Sequence, residues 1–167
     1  MSWCQNRWYY LIAIVVSVAV VYLSVTANRV DDAWYQSLNK PPGVVPNKVF
    51  GIVWAVLYTA LLVGILVALT RYSGNKSSLL LVYSIVMVLT LLWVVAFANF
   101  HMMSVGLLIL IVLLVIAIYM TNMVRHTDMK GADWIPLICF AAFTIWIGVA
   151  TYYNAGFLIL NPCKDGK

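Results

Sequence analysis

Large aromatic side chains recur at helical spacing in three apolar stretches of the chain. They are Phe50, Trp54 and Tyr58 in the first stretch, Trp93 and Phe97 in the second, and Trp146 in the third, where Ala150 and the amide of Asn154 follow at the same spacing. Residues four apart lie on one face of a helix. If the three faces meet, they enclose an apolar cavity edged by indole N–H, phenol O–H and amide groups. Such a cavity suits a flat, mostly apolar ligand; the alternative is ordinary packing between helices.

The same stretches carry no set of side chains arranged for acid–base, nucleophilic or metal chemistry. His101 and His126 have no neighbours at ligand spacing. Cys4, Cys139 and Cys163 are too widely separated to indicate a disulfide framework or a paired-cysteine metal site. We therefore expect no catalytic residues, no metal site and no required cofactor.

The composition indicates that these stretches lie in a membrane. Of the 167 residues, 65% are apolar and 9% are charged, and the mean hydropathy is +0.99. Soluble domains are closer to half apolar and a quarter charged. The charged residues lie between five long apolar stretches, which argues against proton pumps, charge-coupled transporters and voltage sensors. The net charge of +5 is dispersed along the chain, so we expect contact with the lipid bilayer and no nucleic acid binding.

We predict an all-α integral membrane protein, a five-transmembrane-helix bundle in a single domain over residues 1–167. The predicted helices span about 8–28, 48–70, 78–99, 103–124 and 134–158, each long enough to cross the hydrocarbon layer. Five basic residues lie at each end of the bundle, so the positive-inside rule gives no orientation. An alternative for the first helix is a signal peptide, with Arg7 before the apolar run and Val25-Thr26-Ala27 as a small-residue cleavage site.

The long first loop, residues 29–47, also indicates a function, because long loops in compact domains are usually functional or disordered. It carries Trp34, Tyr35 and the prolines Pro41, Pro42 and Pro46. The prolines favour an extended, stiff segment, and the aromatic side chains need burial. We expect this loop to act as a lid over the end of the bundle; the alternative is a solvated linker.

A stripe of small residues, Ala60, Gly64 and Ala68, runs along the second predicted helix. Such stripes allow close contact between helices in membranes. The partner is either another helix of the same chain or a second protomer, which leaves a homodimer open.

Two blocks of residues resemble one known family. The first block reads Trp34-Tyr35-x-x-Leu38-x-Lys40-Pro41, then Pro46, then Phe50-Gly51-x-Val53-Trp54-x-x-Leu57-Tyr58, and the second reads Trp146-x-x-x-Ala150-x-Tyr152-x-Asn154, followed by Asn161. Together with Trp93 and Phe97, they resemble the signature of the tryptophan-rich sensory protein / translocator protein (TspO/MBR) family, once called peripheral-type benzodiazepine receptors.

The resemblance implies a five-helix bundle, commonly dimeric, whose cavity beneath the first loop binds porphyrins such as haem, sterols and benzodiazepine-type ligands. It implies the mitochondrial outer membrane for a eukaryotic member and the cell envelope for a bacterial one. The candidate ligand-binding residues at matching positions are Trp54, Tyr58, Trp93, Phe97, Trp146, Ala150 and Asn154. The candidate lid residues are Trp34, Lys40, Pro41, Pro46 and Phe50.

Several positions depart from the family pattern and leave fewer polar groups for a ligand. The usual loop tryptophan is Gly43, the first of two paired prolines is Val45, and polar positions of the third helix are Val86 and Thr90. A sterol motif of the Leu/Val, Tyr, Lys/Arg type is also missing, because no basic residue follows Tyr152 within five positions.

Three function classes follow. The favoured one is a membrane receptor or translocator, in which a ring ligand stacks on Trp54, Trp93 or Trp146 while Asn154 or Lys40 orients its polar edge. The second is a membrane scaffold that acts through helix contacts without a ligand. The third is light-dependent porphyrin breakdown, which the resemblance suggests but for which the spans contain no catalytic constellation.

Overall fold

The computed structural model describes residues 3–27, 33–72, 74–125 and 134–166. Its helices are α1 (Trp3–Ala27), α2 (Ala33–Ser37), α3 (Asn47–Arg71), α4 (Lys76–Val94), α5 (Met103–Arg125) and α6 (Trp134–Leu160). A π-helical turn, Val95–Asn99, extends α4, and a 3₁₀ turn, Pro162–Lys164, follows α6.

Five of these helices are long and apolar enough to cross a membrane: α1, α3, α4 with its π-helical turn, α5 and α6. In a bilayer, backbone N–H and C=O groups must be satisfied within the protein, which a helix does by itself. The chain is therefore an all-α, multi-pass integral membrane protein, and the predicted fold class is confirmed.

The five long helices form a closed ring in which each packs against two neighbours. Going around it, α1 contacts α3, α3 contacts α6, α6 contacts α5, α5 contacts α4, and α4 returns to α1. Hydroxyl groups link neighbours: the buried Ser17 Oγ and Tyr83 OH lie 2.6 Å apart between α1 and α4, and the half-buried Thr121 and Thr144 share a 3.0 Å hydrogen bond between α5 and α6.

The starts of two helices show how the local sequence shapes them. Pro46 occupies the N-cap position of α3 without a side-chain cap, and Asn47 is the first helical residue. Asn75 caps α4: its Oδ1 accepts hydrogen bonds from the backbone N–H groups of Ser77 at 3.0 Å and Ser78 at 3.2 Å. Asparagine does this well because its short side chain reaches the second and third N–H groups of the helix.

The small-residue stripe is used inside the chain. A Cβ atom added to Gly64 would lie 2.9 Å from both Cys139 Cβ and Phe140 Cε1 on α6. Ala68, one turn further along α3, is also buried. The stripe therefore brings α3 close to α6, so its partner is another helix of the same chain. The homodimer stays a prediction.

We call the end of the bundle covered by α2 and residues 38–46 the lid end, and the opposite end the far end. The lid is this covering segment, residues 33–46. It begins with the short helix α2, makes a turn at Pro42 and Gly43, and continues without regular structure to α3. Within the lid, the side chains of Tyr35, Leu38 and Pro41 are buried. The segment therefore packs on the bundle rather than extending into solvent.

Candidate ligand-binding site

A cavity of about 200 Å³ lies at the lid end, between the lid and helices α1, α3, α4 and α6. Six of the seven predicted ligand-binding residues line it: Trp54, Tyr58, Trp93, Phe97, Ala150 and Asn154. Among the described residues that form its wall, none is Asp, Glu, Lys, Arg or His. The cavity is therefore shaped for a neutral, apolar group.

Aromatic rings form a continuous wall of this cavity. Trp54 and Trp93 stack with centroids 5.5 Å apart and an interplanar angle of 27°, and Trp93 stacks on Phe97 at 6.1 Å and 28°. Tyr58 extends the series, with its ring 5.5 Å from that of Trp54. Offset, nearly parallel rings are a favourable arrangement for aromatic groups, and the series presents a flat surface to a ligand.

Asn154 holds part of this wall in place. Its Oδ1 accepts a hydrogen bond from Trp93 Nε1 at 3.2 Å, and its Nδ2 donates to the backbone oxygen of Met103 at 2.7 Å. A Cβ on Gly106 would lie 2.9 Å from the same Oδ1, so the absence of a side chain at Gly106 provides room for the amide. The amide thus links α4, α5 and α6 and fixes the orientation of the Trp93 ring.

Two indole N–H groups are buried without a hydrogen-bond partner, those of Trp54 and Trp146. A buried donor without an acceptor costs free energy. Trp54 lies in the cavity wall, where a bound molecule can supply the acceptor. Trp146 does not line the cavity; its ring packs against Phe50, at 5.7 Å between centroids. The structure therefore does not bring Trp146 to the wall with the other predicted residues.

Helix α1 also forms part of the wall, which the sequence did not indicate. Val21, Ser24 and Val25 line the cavity, and the Tyr58 hydroxyl donates to Ser24 Oγ at 3.3 Å. Apolar residues surround α1 on all sides, so no stripe marks the face that meets the cavity. By contrast, Phe157 on α6 could have been found, since it lies seven residues after Ala150 on the same face.

The π-helical turn after α4 places two more residues at the cavity. Phe97 and Ala98 belong to this turn, and both line the wall. Short π-helical segments inside α-helices occur frequently at functional sites. Nothing in the local sequence distinguishes this turn from a continuous α-helix.

Helix α6 forms one attachment for the lid. Pro41 packs against Gly156, where an added Cβ would come within 2.5 Å of Pro41 Cβ. Nearby, the Tyr153 hydroxyl donates to the backbone oxygen of Gly43 at 2.7 Å. These contacts require a small residue at position 156 and a hydroxyl at position 153.

The segment after α6 forms a second attachment for the lid. Asn39 N–H donates to Asn161 Oδ1 at 2.8 Å, and Asn161 Nδ2 donates back to the Asn39 carbonyl oxygen at 2.9 Å. Lys164 Nζ donates to the backbone oxygen of Ser37. Trp34 Nε1 donates to the backbone oxygen of Lys164 at 3.1 Å.

The remaining predicted lid residues take different positions. The Trp34 ring stacks on His101 at 4.2 Å. Lys40 is exposed, with its Nζ 5.1 Å from the centre of the Tyr35 ring, and burial raises the pKa of the Tyr35 hydroxyl. Pro46 is exposed and precedes α3, whereas Phe50, predicted as a lid residue, lies in the first turn of α3 and lines the cavity.

Comparison with known proteins identifies relatives of the chain. Residues 11–160 match the family model described as the TspO/MBR family. Protein CrtK of Rhodobacter capsulatus is 31% identical over 136 residues, which cover 78% of this chain and 79% of that protein. The family resemblance drawn from the sequence motifs is confirmed.

Proposed function

The chain belongs to the TspO/MBR family, and from this premise we propose that it is a membrane receptor or translocator for a flat, hydrophobic ring compound. The ligand occupies the cavity beneath the lid. Porphyrin or haem is the first candidate, and sterols and benzodiazepine-type compounds are the others.

One observation carries the proposal: Trp54 lines the cavity while its indole N–H has no acceptor. A ligand with a carbonyl or ring nitrogen at its edge satisfies this donor while its ring stacks on the Trp54–Trp93 wall. An added hydrogen bond contributes about 0.5–1.5 kcal/mol, and apolar burial contributes the larger share at about 25 cal/mol per Å².

The size of the cavity restricts how a ligand fits. At about 200 Å³, it is larger than the cavity of about 150 Å³ that holds benzene in an engineered protein, and smaller than the roughly 300–1,000 Å³ of sites for drug-sized molecules. In this arrangement of the helices, the cavity therefore accepts a compound of two or three rings, and a tetrapyrrole requires its walls to move apart.

Charge restricts the fit further. The wall holds no ionised side chain among its described residues, so the propionates of a porphyrin must stay outside the apolar part of the cavity. Lys40 on the lid is exposed and supplies a cation near the lid end.

Tryptophan fluorescence of the purified protein in lipid nanodiscs tests the proposal. Titration with protoporphyrin should give saturable quenching. Trp54→Phe keeps an aromatic ring but removes the N–H donor, so we expect about fivefold to tenfold weaker affinity, the equivalent of one hydrogen bond. Trp134→Phe is the matched control, because Trp134 is exposed at the far end.

Quenching that never saturates would favour the scaffold class. Equal affinities for Trp54→Phe and Trp134→Phe would show that porphyrin binds elsewhere on the protein.

A further inference from the structure

We propose that the ligand moves between the cavity and the lipid bilayer through a side opening between α1 and α3, while the lid stays closed. This inference rests on the proposed function, because it concerns the route to the same cavity. It assigns the ligand supply to the membrane rather than to the aqueous phase.

The exposed residues in the cavity wall all belong to α1 and α3. Most of the wall is buried or half-buried, and its exposed members are Val25 on α1 and Gly51 and Ala55 on α3. Val25 is 70% exposed. Among the described residues, the cavity therefore reaches the outer surface of the bundle between these two helices.

The α3 residues at this edge of the cavity are small. A Cβ added to Gly51 would meet no other atom within 4 Å, so the space beside it is open. Ala55 follows one turn later and adds only a methyl group. Larger residues at these two positions would narrow the passage without disturbing the packed core.

The opening between α1 and α3 lies at the depth of the hydrocarbon layer. Gly51 and Ala55 lie four and eight residues after the start of α3, about 6 and 12 Å along its axis. With 25 residues, α3 is about 37 Å long, which exceeds the roughly 30 Å of the hydrocarbon layer. The opening thus faces the acyl chains, where an apolar ligand accumulates from water.

The two possible exits, beneath the lid and between α1 and α3, differ in the number of interactions that hold them shut. The lid is fastened along its length by the paired hydrogen bonds of Asn39 and Asn161, by Lys164 and by the contact of Pro41 with Gly156. At the lid end of α1, the described cross-link to α3 is the long 3.3 Å bond from Tyr58 to Ser24. Outward movement of α1 disrupts fewer interactions than raising the lid.

Stopped-flow quenching by protoporphyrin in nanodiscs separates the two routes. Gly51→Leu and Ala55→Phe should each slow association about tenfold and should also slow dissociation, because a narrowed passage hinders movement in both directions. A side chain that merely filled the cavity would slow association and speed dissociation. Val56→Phe is the control of equal bulk, since Val56 is exposed on α3 but does not line the cavity.

Lys164→Ala, which releases one attachment of the lid, should leave both rates within twofold of the unaltered protein. The inference is wrong if Gly51→Leu and Ala55→Phe behave like Val56→Phe, or if Lys164→Ala accelerates both rates. Failure of the unaltered protein to bind protoporphyrin saturably would instead remove the proposed function, and this inference with it.

Discussion

Helices α3, α4 and α6 pack differently at their two ends. Towards the far end, aliphatic side chains such as Ile65, Leu69 and Leu79 are fully buried, and the backbone of Gly64 lies directly against Phe140. At the lid end, the same helices carry stacked rings beside a cavity of about 200 Å³. One pair of helices, α3 and α6, is thus closely packed over part of its length and separated over the rest.

This contrast between the two ends indicates that side-chain shape, rather than helix placement alone, produces the cavity. Flexible aliphatic chains interdigitate to near-crystalline density. Rigid, flat rings that stack on one another cannot also fill the space in front of the stack. The lid end compensates with directional contacts, namely the Asn154 hydrogen bonds and the attachments of the lid.

Gly64→Ala should have the strongest effect, because it disrupts the close packing of the far end. Gly64→Ala places a Cβ 2.9 Å from Cys139 Cβ, an atom that cannot move without the α6 backbone. Overpacking of this kind costs about 1–3 kcal/mol, so we expect a lower free energy of unfolding in detergent. Gly148→Ala is the control, since its added Cβ meets no atom within 4 Å. Equal stability of the two variants would show that the far end is loosely packed.

The next effect concerns the empty space of the lid end. Ala150→Phe places a ring in the cavity, so the affinity for protoporphyrin should fall at least tenfold, about 1.4 kcal/mol. Unfolding should change little because the ring enters existing space. The measurement is the quenching titration, with Ala142→Phe on the exposed face of α6 as control. Unchanged affinity in Ala150→Phe would place the ligand outside this cavity.

A smaller effect tests the polar link that holds the ring wall. Asn154→Leu removes the hydrogen bonds to Trp93 and to the Met103 carbonyl oxygen. Side-chain hydrogen bonds between membrane helices contribute about 0.6 kcal/mol on average and up to about 1.7, so we expect a stability loss in that range. Trp93 emission should shift as its ring loses orientation. Asn122→Leu, at an exposed position of α5, should cause neither change.

The smallest effect appears only at high pH and concerns the lid. Burial raises the pKa of the Tyr35 hydroxyl above its usual value of 10.0. A group with a raised pKa in the folded state stabilises that state below its unfolded pKa, and this contribution is lost as the pH rises through the folded pKa. The free energy of unfolding should therefore fall above pH 10, and less steeply in Tyr35→Phe. Identical pH profiles for the two proteins would show that Tyr35 stays protonated or is already exposed.

The sequence predicted the fold class and much of the ring wall for clear physical reasons. Long apolar stretches can cross a bilayer only with their backbone hydrogen bonds closed, which selects helices. Aromatic residues four apart share a helix face, so Trp54 with Tyr58 and Trp93 with Phe97 were expected on one surface. Their roles in binding a ligand stay predictions until the titrations are made.

Residue spacing did not predict the position of Trp146. Four residues turn a helix about 40° past a full revolution, so residues eight apart face directions about 80° from each other. On α6, Asn154 lines the cavity whereas Trp146 packs against Phe50, although on α3 the equally spaced Phe50 and Tyr58 both line it. Spacing alone could not decide which member of the series would reach the cavity.

The amino-acid sequence is enough to predict the number of membrane-crossing helices, the rings that they carry and a proline-rich segment between the first two of them. These properties depend on local composition and periodicity. Only the tertiary structure decided that α1 completes the wall, that Gly64 meets α6, and that Asn39 pairs with Asn161, 122 positions away. Such contacts depend on which helix faces meet after folding, and that is set by the combined packing of all five helices rather than by any one stretch of sequence.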